Sequence, residues 1–172
     1  MTPLLLALVI TSQEPADLFQ PKGPKLQVTM ASGKSFVITT DREGSPKTVS
    51  HIIDLVNRRF YDRQRIHRVE PWVTQWGAPA SKNRPLTEDA VLSGGSGKDI
   101  PFEESKWDFH RGVVGVASTG LQKGGDSQIF ILKKDTFRLF RSYAVVGKVT
   151  SGMNVVDAIK KGDRIKSIRV RQ

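Results

Sequence analysis

The chain has three histidines, His51, His67 and His110, and no cysteine. The histidines lie far apart, with no carboxylates at matching spacing, so they do not outline a zinc site. The lack of cysteine removes disulfides, thiolate metal sites and cysteine nucleophiles together. Gly94–Lys98 begins like a phosphate loop, but that motif needs glycine where Leu92 stands and a hydroxyl where Asp99 stands. Ser96 fails as a nucleophile elbow because Lys98 occupies the place of the closing glycine. His51 falls on a predicted helix beside Ile52 and reads as a surface or boundary residue. No triad, metal set or dinucleotide loop is legible, so any chemistry here must need none of them.

The elements that would carry such chemistry fit one domain of 172 residues. An apolar fraction of 38% with 26% charged residues is that of a folded globular chain. The net charge of +10 favours acidic partners in general and is silent on chemistry. Pro3 to Ile10 is an apolar run, far short of the roughly 20 residues of a membrane-spanning helix. It has the length and position of a secretory h-region, without a basic n-region, since no Lys or Arg precedes Lys22. We read residues 1–24 as that segment plus a linker, favouring export over a buried N-terminal strand or a truncated lipid or membrane anchor, and 25–172 as the domain.

Leu26, Val28 and Met30 alternate with polar residues, Ser32-Gly33 interrupts, and Phe36 to Thr40 resumes, which predicts a hairpin with a two-residue turn. Ser45-Pro46 offers a helix cap, and Val49, Ile52, Ile53, Val56 and Phe60 follow at helical spacing. Tyr61 to Pro101 is irregular and rich in Gly, Pro and Ser, as loops that carry function tend to be. Strand-like runs return at Val113–Ala117, Ser127–Leu132, Tyr143–Val149 and Ile165–Val170, with a short helix over Asn154–Lys160. Two helices among many short strands predict a closed or nearly closed antiparallel barrel.

The segment Ile66-His67-Arg68-Val69-Glu70-Pro71-Trp72-Val73-Thr74-Gln75 resembles the F-H-R-x-x-P-x-F-x-x-Q signature of the cyclophilins, the peptidyl-prolyl cis-trans isomerases. Ile100-Pro101-Phe102-Glu103-Glu104 and His110-Arg111-Gly112-Val113-Val114-Gly115-Val116-Ala117 are similar to the bacterial IPxE…GxVGMA stretch. Ser127 to Ile131 resembles the SQFFI strand, Leu139, Tyr143 and Val146–Val149 fit the L-D-G-x-[HY]-x-V-F-G-x-V segment, and Gly152–Val156 fits the helix start after it. The fragments run in order from about residue 26 to 170.

The resemblance implies a mostly β fold: a closed eight-stranded antiparallel β-barrel capped by two α-helices, with the site on the outer face of the sheet. It implies no cofactor and no metal, a monomer, proline-containing polypeptides as partners, and no specific nucleic acid. The matched positions imply Arg68 and Gln75 as catalytic and Trp72, Val73, Ala117, Ser118, Gln128, Phe130, Leu139 and Tyr143 as substrate-binding. The chemistry suits such a set. Resonance opposes rotation of the peptide bond by about 18–20 kcal/mol, and a catalyst need only bind the twisted amide better than the planar forms. An arginine hydrogen bond to the prolyl nitrogen opposes the return of conjugation, and a guanidinium stays charged and presents a rigid fork of donors.

The chain also departs from the family pattern. Arg138 stands where Trp or His is common, which predicts weak cyclosporin binding. Ser118 replaces a common Asn, and Trp76 and Ala78 replace the Gly and Asp of Q-G-G-D, so an indole sits where it could reshape the floor behind Gln75. Trp76 and Trp107 otherwise read as packing residues. Phe137–Arg141, FRLFR, is an aromatic-basic loop. The leading expectation is a prolyl isomerase assisting protein folding, with a proline-peptide binding module of little turnover as the alternative. The basic tail from Lys160 to Arg171 reads as a solvated edge strand.

Overall fold

The computed structural model describes residues 16–171, so the apolar run at residues 3–10 and its export reading lie outside the described residues. Alternating side chains build eight strands: β1 (Lys25–Met30), β2 (Ser35–Thr40), β3 (Arg68–Val69), β4 (Val73–Trp76), β5 (Val113–Ser118), β6 (Gly125–Leu132), β7 (Val145–Ser151) and β8 (Ile165–Arg171). They form one antiparallel sheet in the order β3-β4-β6-β5-β7-β2-β1-β8. Three helices accompany it: α1 (Pro46–Asn57), α2 (Asp89–Leu92) and α3 (Met153–Asp157).

The sheet buries both of its faces, and strand alternation divides the residues between them. Inside, Val114 and Val116 of β5, Ile129 and Ile131 of β6, Val146 of β7 and Trp76 of β4 meet Ile52, Leu55 and Val56 of α1. Outside, Val73, Val113, Phe130, Leu132 and Val145 form a second cluster with Phe109, Leu139 and Phe19. Residues 16–24, read as a linker, pack on this outer cluster. Phe19 is buried and stacks on Trp107 at 4.9 Å, and Lys148 Nζ donates to Asp17 and to the Phe19 carbonyl.

Three expectations are corrected. The barrel is open: β3 and β8 end the sheet without a ladder between them, and the isolated bridge Arg65–Arg164 lies just outside both strands. The physical reason is that β3 is only two residues long. The seam is spanned instead by irregular backbone, where Arg63 N donates to Ile165 O, Ile165 N to Gln64 O and Ile66 N to Asp163 O at 2.8–2.9 Å. The helices number three among the described residues rather than two, because Asp89–Leu92 closes a short turn within the long irregular stretch. The first hairpin turns through three residues: Met30 N donates to Lys34 O and Gly33, at φ +85°, completes the turn, a left-handed conformation suited to glycine.

The start of α1 shows how distant parts of the chain cooperate. Ser45 precedes Pro46 as expected, but its hydroxyl makes no capping bond. Glu103 of the IPxE-like segment caps the helix instead, accepting from Lys47 N at 3.0 Å and Thr48 N at 2.7 Å.

Candidate active site

One cross-strand row organises the site. Arg68 pairs with Gln75 across β3–β4, Gln75 with Phe130 across β4–β6, Phe130 with Gly115 across β6–β5, and Gly115 with Val145 of β7. The first pair depends on a hairpin whose tip is Pro71-Trp72: Glu70 N donates to Val73 O at 2.8 Å, and Val73 N returns to Glu70 O at 3.3 Å. This tight tip keeps Arg68 opposite Gln75 and puts Trp72 beside them.

The row lies under a cleft of about 360 Å³ lined by Arg68, Trp72, Val73, Gln75, Ala117, Ser118, Phe130, Arg138, Leu139 and Tyr143. Nine of the ten predicted site residues thus meet in one cavity. The tenth, Gln128, lines an adjoining cavity of about 460 Å³ that shares Gln75, Ala117 and Ser118. Gln128 nevertheless reaches the cleft through its neighbour, since Gln75 Nε2 donates to Gln128 Oε1 at 2.6 Å. The apolar wall is built from Val73, Phe130 and Leu139, all buried, with Tyr143 edge-on to Phe130 at 5.5 Å.

The polar wall is a relay. Arg68 Nη1 donates to Gln75 Oε1 at 3.2 Å, Gln75 passes to Gln128, and Gln128 Nε2 donates to the carbonyls of Gly94 at 2.8 Å and Leu92 at 3.1 Å. With both ends of each amide engaged, the Gln75 orientation is fixed and so is the guanidinium it holds. Glu70 takes the remaining side of that group, accepting from Arg68 Nε at 2.6 Å. That hydrogen bond holds the Glu70 carboxyl below the usual carboxylate range. The Arg68 guanidinium carbon lies 5.3 Å from the Trp72 ring centroid and that of Arg138 4.9 Å, so two cations share one indole. Below the row, His67 is buried and its pKa is lowered to about 4, by burial first and then by the charges of Arg68 and Lys161.

Several side chains depart from their expected parts. Trp76 does not alter the floor behind Gln75, because the next residue of a strand points to the opposite face; it is fully buried inside, edge-on to Phe36 at 6.4 Å. Ser118 turns its hydroxyl to the Gly120 carbonyl at 2.6 Å. His51 is buried, not at the surface, with Nε2 at 3.0 Å from Asp126 Oδ1. Asp126 also accepts from the Ser96 hydroxyl and, at 2.8 Å, from Gly97 N. The carboxylate stands between serine and histidine, so the trio ties the glycine-rich loop to α1 and is no nucleophile triad. Two residues join the site beyond the ten expected: Glu70, which holds Arg68, and Arg138, which lines the cleft. Glu70 lies within the matched signature, and Arg138 was visible as a departure from it.

The outer-face cleft combines an apolar wall with a guanidinium held by Glu70 and Gln75. The sequence and fold comparisons agree on the family. The family model for cyclophilin type peptidyl-prolyl cis-trans isomerase matches residues 25–172. A probable peptidyl-prolyl cis-trans isomerase of Brucella abortus is 39% identical over 131 residues, covering 74% of this chain and 67% of the relative. Peptidyl-prolyl cis-trans isomerase B of Bacillus subtilis is 35% identical over 131 residues, covering 74% of this chain and 85% of its own length. A Cryptosporidium parvum cyclophilin-type isomerase superimposes with a TM-score of 0.74 at 19% identity, over 87% of this chain and 98% of that one, which supports the fold. The chain belongs to the cyclophilin-type peptidyl-prolyl cis-trans isomerases and is an isomerase of that class. Among the described residues no helix is long and apolar enough to cross a membrane.

Proposed function

We propose that the 360 Å³ cleft binds the X–Pro segment of a polypeptide, with the proline ring against Val73, Phe130 and Leu139. Backbone near Ser118 holds the chain before the proline, so that one side of the X–Pro bond stays fixed while the other rotates. Twisting localises the lone pair on the prolyl nitrogen, and Arg68 donates to it. Gln75 is the positioning residue that fixes Arg68, and Gln128 fixes Gln75 in turn. The observation that carries this reading is the unbroken relay from Arg68 to the backbone at Gly94, which holds the donor in place before any substrate arrives. A structure of the Cryptosporidium parvum isomerase determined in the presence of the dipeptide Ala-Pro, with a TM-score of 0.73 to this chain, is in keeping with it. In the cell this activity would assist the folding of proline-containing chains, whose X–Pro bonds otherwise exchange over tens of seconds.

The test is cis-trans exchange of an Ala-Pro peptide followed by NMR, with Arg68→Ala beside the unaltered protein. Loss of a preorganised donor to a developing charge costs about a hundredfold or more in rate, and a fall of that size is expected here. A variant that retains most of the rate while folded would overturn the role of Arg68.

A further inference from the structure

We propose that Arg138 forms an anion subsite at the mouth of the cleft, so that this isomerase favours X–Pro bonds flanked by a residue bearing a carboxylate or a phosphate. The inference rests on the cleft being the X–Pro site.

The 3-10 turn Phe137–Leu139 places consecutive side chains in two environments: Leu139 is 7% exposed within the cleft, while Arg138 is exposed at its rim. The turn is held from behind, where the His110 ring meets Phe137 edge-on at 4.9 Å and Leu139 N donates to Thr136 O at 3.0 Å. The guanidinium of Arg138 lies over the Trp72 ring at 4.9 Å. A stacked guanidinium keeps its edge N–H groups free for a planar acceptor.

Its neighbours are spoken for. Arg68 gives Nε to Glu70 and Nη1 to Gln75. Arg141, two residues on from Leu139, pairs with Glu104 at 3.4 Å. Among the described residues Arg138 has neither a hydrogen bond nor an ion pair, and it lines the cleft. Glu70 is the carboxylate of this corner and it is already bound by Arg68, which leaves the mouth with one cation in excess. A cation beside apolar walls attracts an anion more strongly than one in open water, and a residue adjacent to the bound proline lies within reach.

The test compares exchange rates of matched peptides carrying Glu, Gln or phosphoserine immediately before or after the proline. Each preference is taken as a ratio within one protein. The unaltered protein should turn over the Glu peptide about fivefold faster than the Gln peptide at one of the two positions, as expected of a partly exposed ion pair. Phosphoserine should give a ratio above that of Glu if phosphate is the better occupant and one below it if carboxylate is. The preference should shrink in high salt. Arg138→Gln should bring it close to unity, whereas Arg141→Gln should leave it intact. Ratios near unity for both anions in the unaltered protein, or a preference that survives Arg138→Gln, would overturn the proposal. If no peptide exchanges faster, the isomerase reading of the cleft fails separately. Dissociation constants for the Glu and Gln peptides from NMR shift titration then decide the subsite on their own.

Discussion

The two cavities that meet at Gln75 are walled in different ways. The cleft over Phe130 stands on a cross-strand row, Arg68–Gln75–Phe130–Gly115, in which each residue is held by the ladder of the next strand. Its neighbour has one side of irregular chain with few side chains to pack, Ser93–Gly95, Gly97, Asp99, Thr119 and Gly124, facing residues of β4, β5 and β6. That loop is secured from the other end of β6, where the one carboxylate of Asp126 binds Ser96, Gly97 N and His51. The strand-borne wall presents charge and apolar surface at fixed positions, as stabilising one twisted amide requires. The loop-borne wall contributes backbone groups, among them the Leu92 and Gly94 carbonyls that accept from Gln128. Strand β6 borders both cavities, with Phe130 in one and Asp126 in the other.

The largest effect should come from filling the row. A Cβ on Gly115 would lie 2.7 Å from Phe130 Cε1, too near for any real contact, so Gly115→Val must displace the ring that forms the apolar wall. Overpacking of this kind costs about 1–3 kcal/mol. Exchange on an Ala-Pro peptide should fall about tenfold or more, with the loss mainly in substrate affinity. An unaltered rate in a folded variant would break the claim that this row sets the pocket.

Next comes the clamp. Asp126→Ala leaves the His51 ring and Gly97 N without their acceptor, a cost of about 1–3 kcal/mol when such groups are buried. Limited proteolysis should then cut within residues 93–97, while Ala-Pro exchange falls far less than in Arg68→Ala. Burial pushes the Asp126 carboxyl up, but hydrogen bonds from Ser96, His51 and Gly97 outweigh it and leave its pKa lowered. The clamp's contribution is thus complete above about pH 4, the unfolded carboxyl's range, and is lost as pH falls through the lower folded value. Cleavage of the loop in the unaltered protein should rise only in that acid window.

These contrasts also mark what the sequence could disclose. The hairpin β1–β2 and the helix α1 were legible because one face of each is buried and the spacing survives. Strands β5 and β6 bury both faces, so Ile129 and Phe130 look alike in sequence. Only the register resemblance assigned Phe130 to the site. The Arg68–Gln75 pair rests on a two-residue tip that no periodicity reveals. His51 was misplaced because its partner Asp126 lies 75 positions away, and the cap on α1 was missed because Glu103 arrives from 55 positions along the chain. Closure of the barrel was overstated for a related reason. Strand-like runs are visible in sequence, but the seam depends on backbone hydrogen bonds of the irregular segment at 63–66.

A smaller effect separates the row from the interior beneath it. The His67 ring stays neutral in the fold down to about pH 4 because burial, with Arg68 and Lys161, lowers its pKa, whereas in the unfolded chain a histidine takes a proton near pH 6.5. Between those values the unfolded state binds more protons, so stability falls as pH drops through the window and levels off below it. At about 1.36 kcal/mol per pKa unit, the lost stability over the whole window is on the order of 3 kcal/mol. Its Nδ1 has no partner among the described residues, so His67→Leu removes the charge problem at the cost of the ring's contact with Gln128. Denaturant midpoints at pH 7 and pH 4.5 should therefore lie closer together in the variant than in the unaltered protein. Equal spacing would show that His67 does not titrate as its surroundings imply.

The smallest effect tests the row at its exposed end. Glu70 and Arg68 are each about two-fifths exposed, with side-chain values of 40% and 42%, and a pair of that kind adds roughly 0–1 kcal/mol to stability. Glu70→Gln keeps an acceptor for Arg68 Nε but removes the negative charge that offsets the guanidinium. Unfolding should shift by less than about 0.5 kcal/mol. Arg68, still aligned by Gln75, should become the stronger donor, and exchange on a neutral Ala-Pro peptide should rise about twofold, the effect of a few tenths of a kcal/mol. A fall instead would mean that the charge of Glu70, and not the relay through Gln75 and Gln128, is what holds Arg68 in place. The strand-borne wall would then be less self-sufficient than the loop-borne wall beside it.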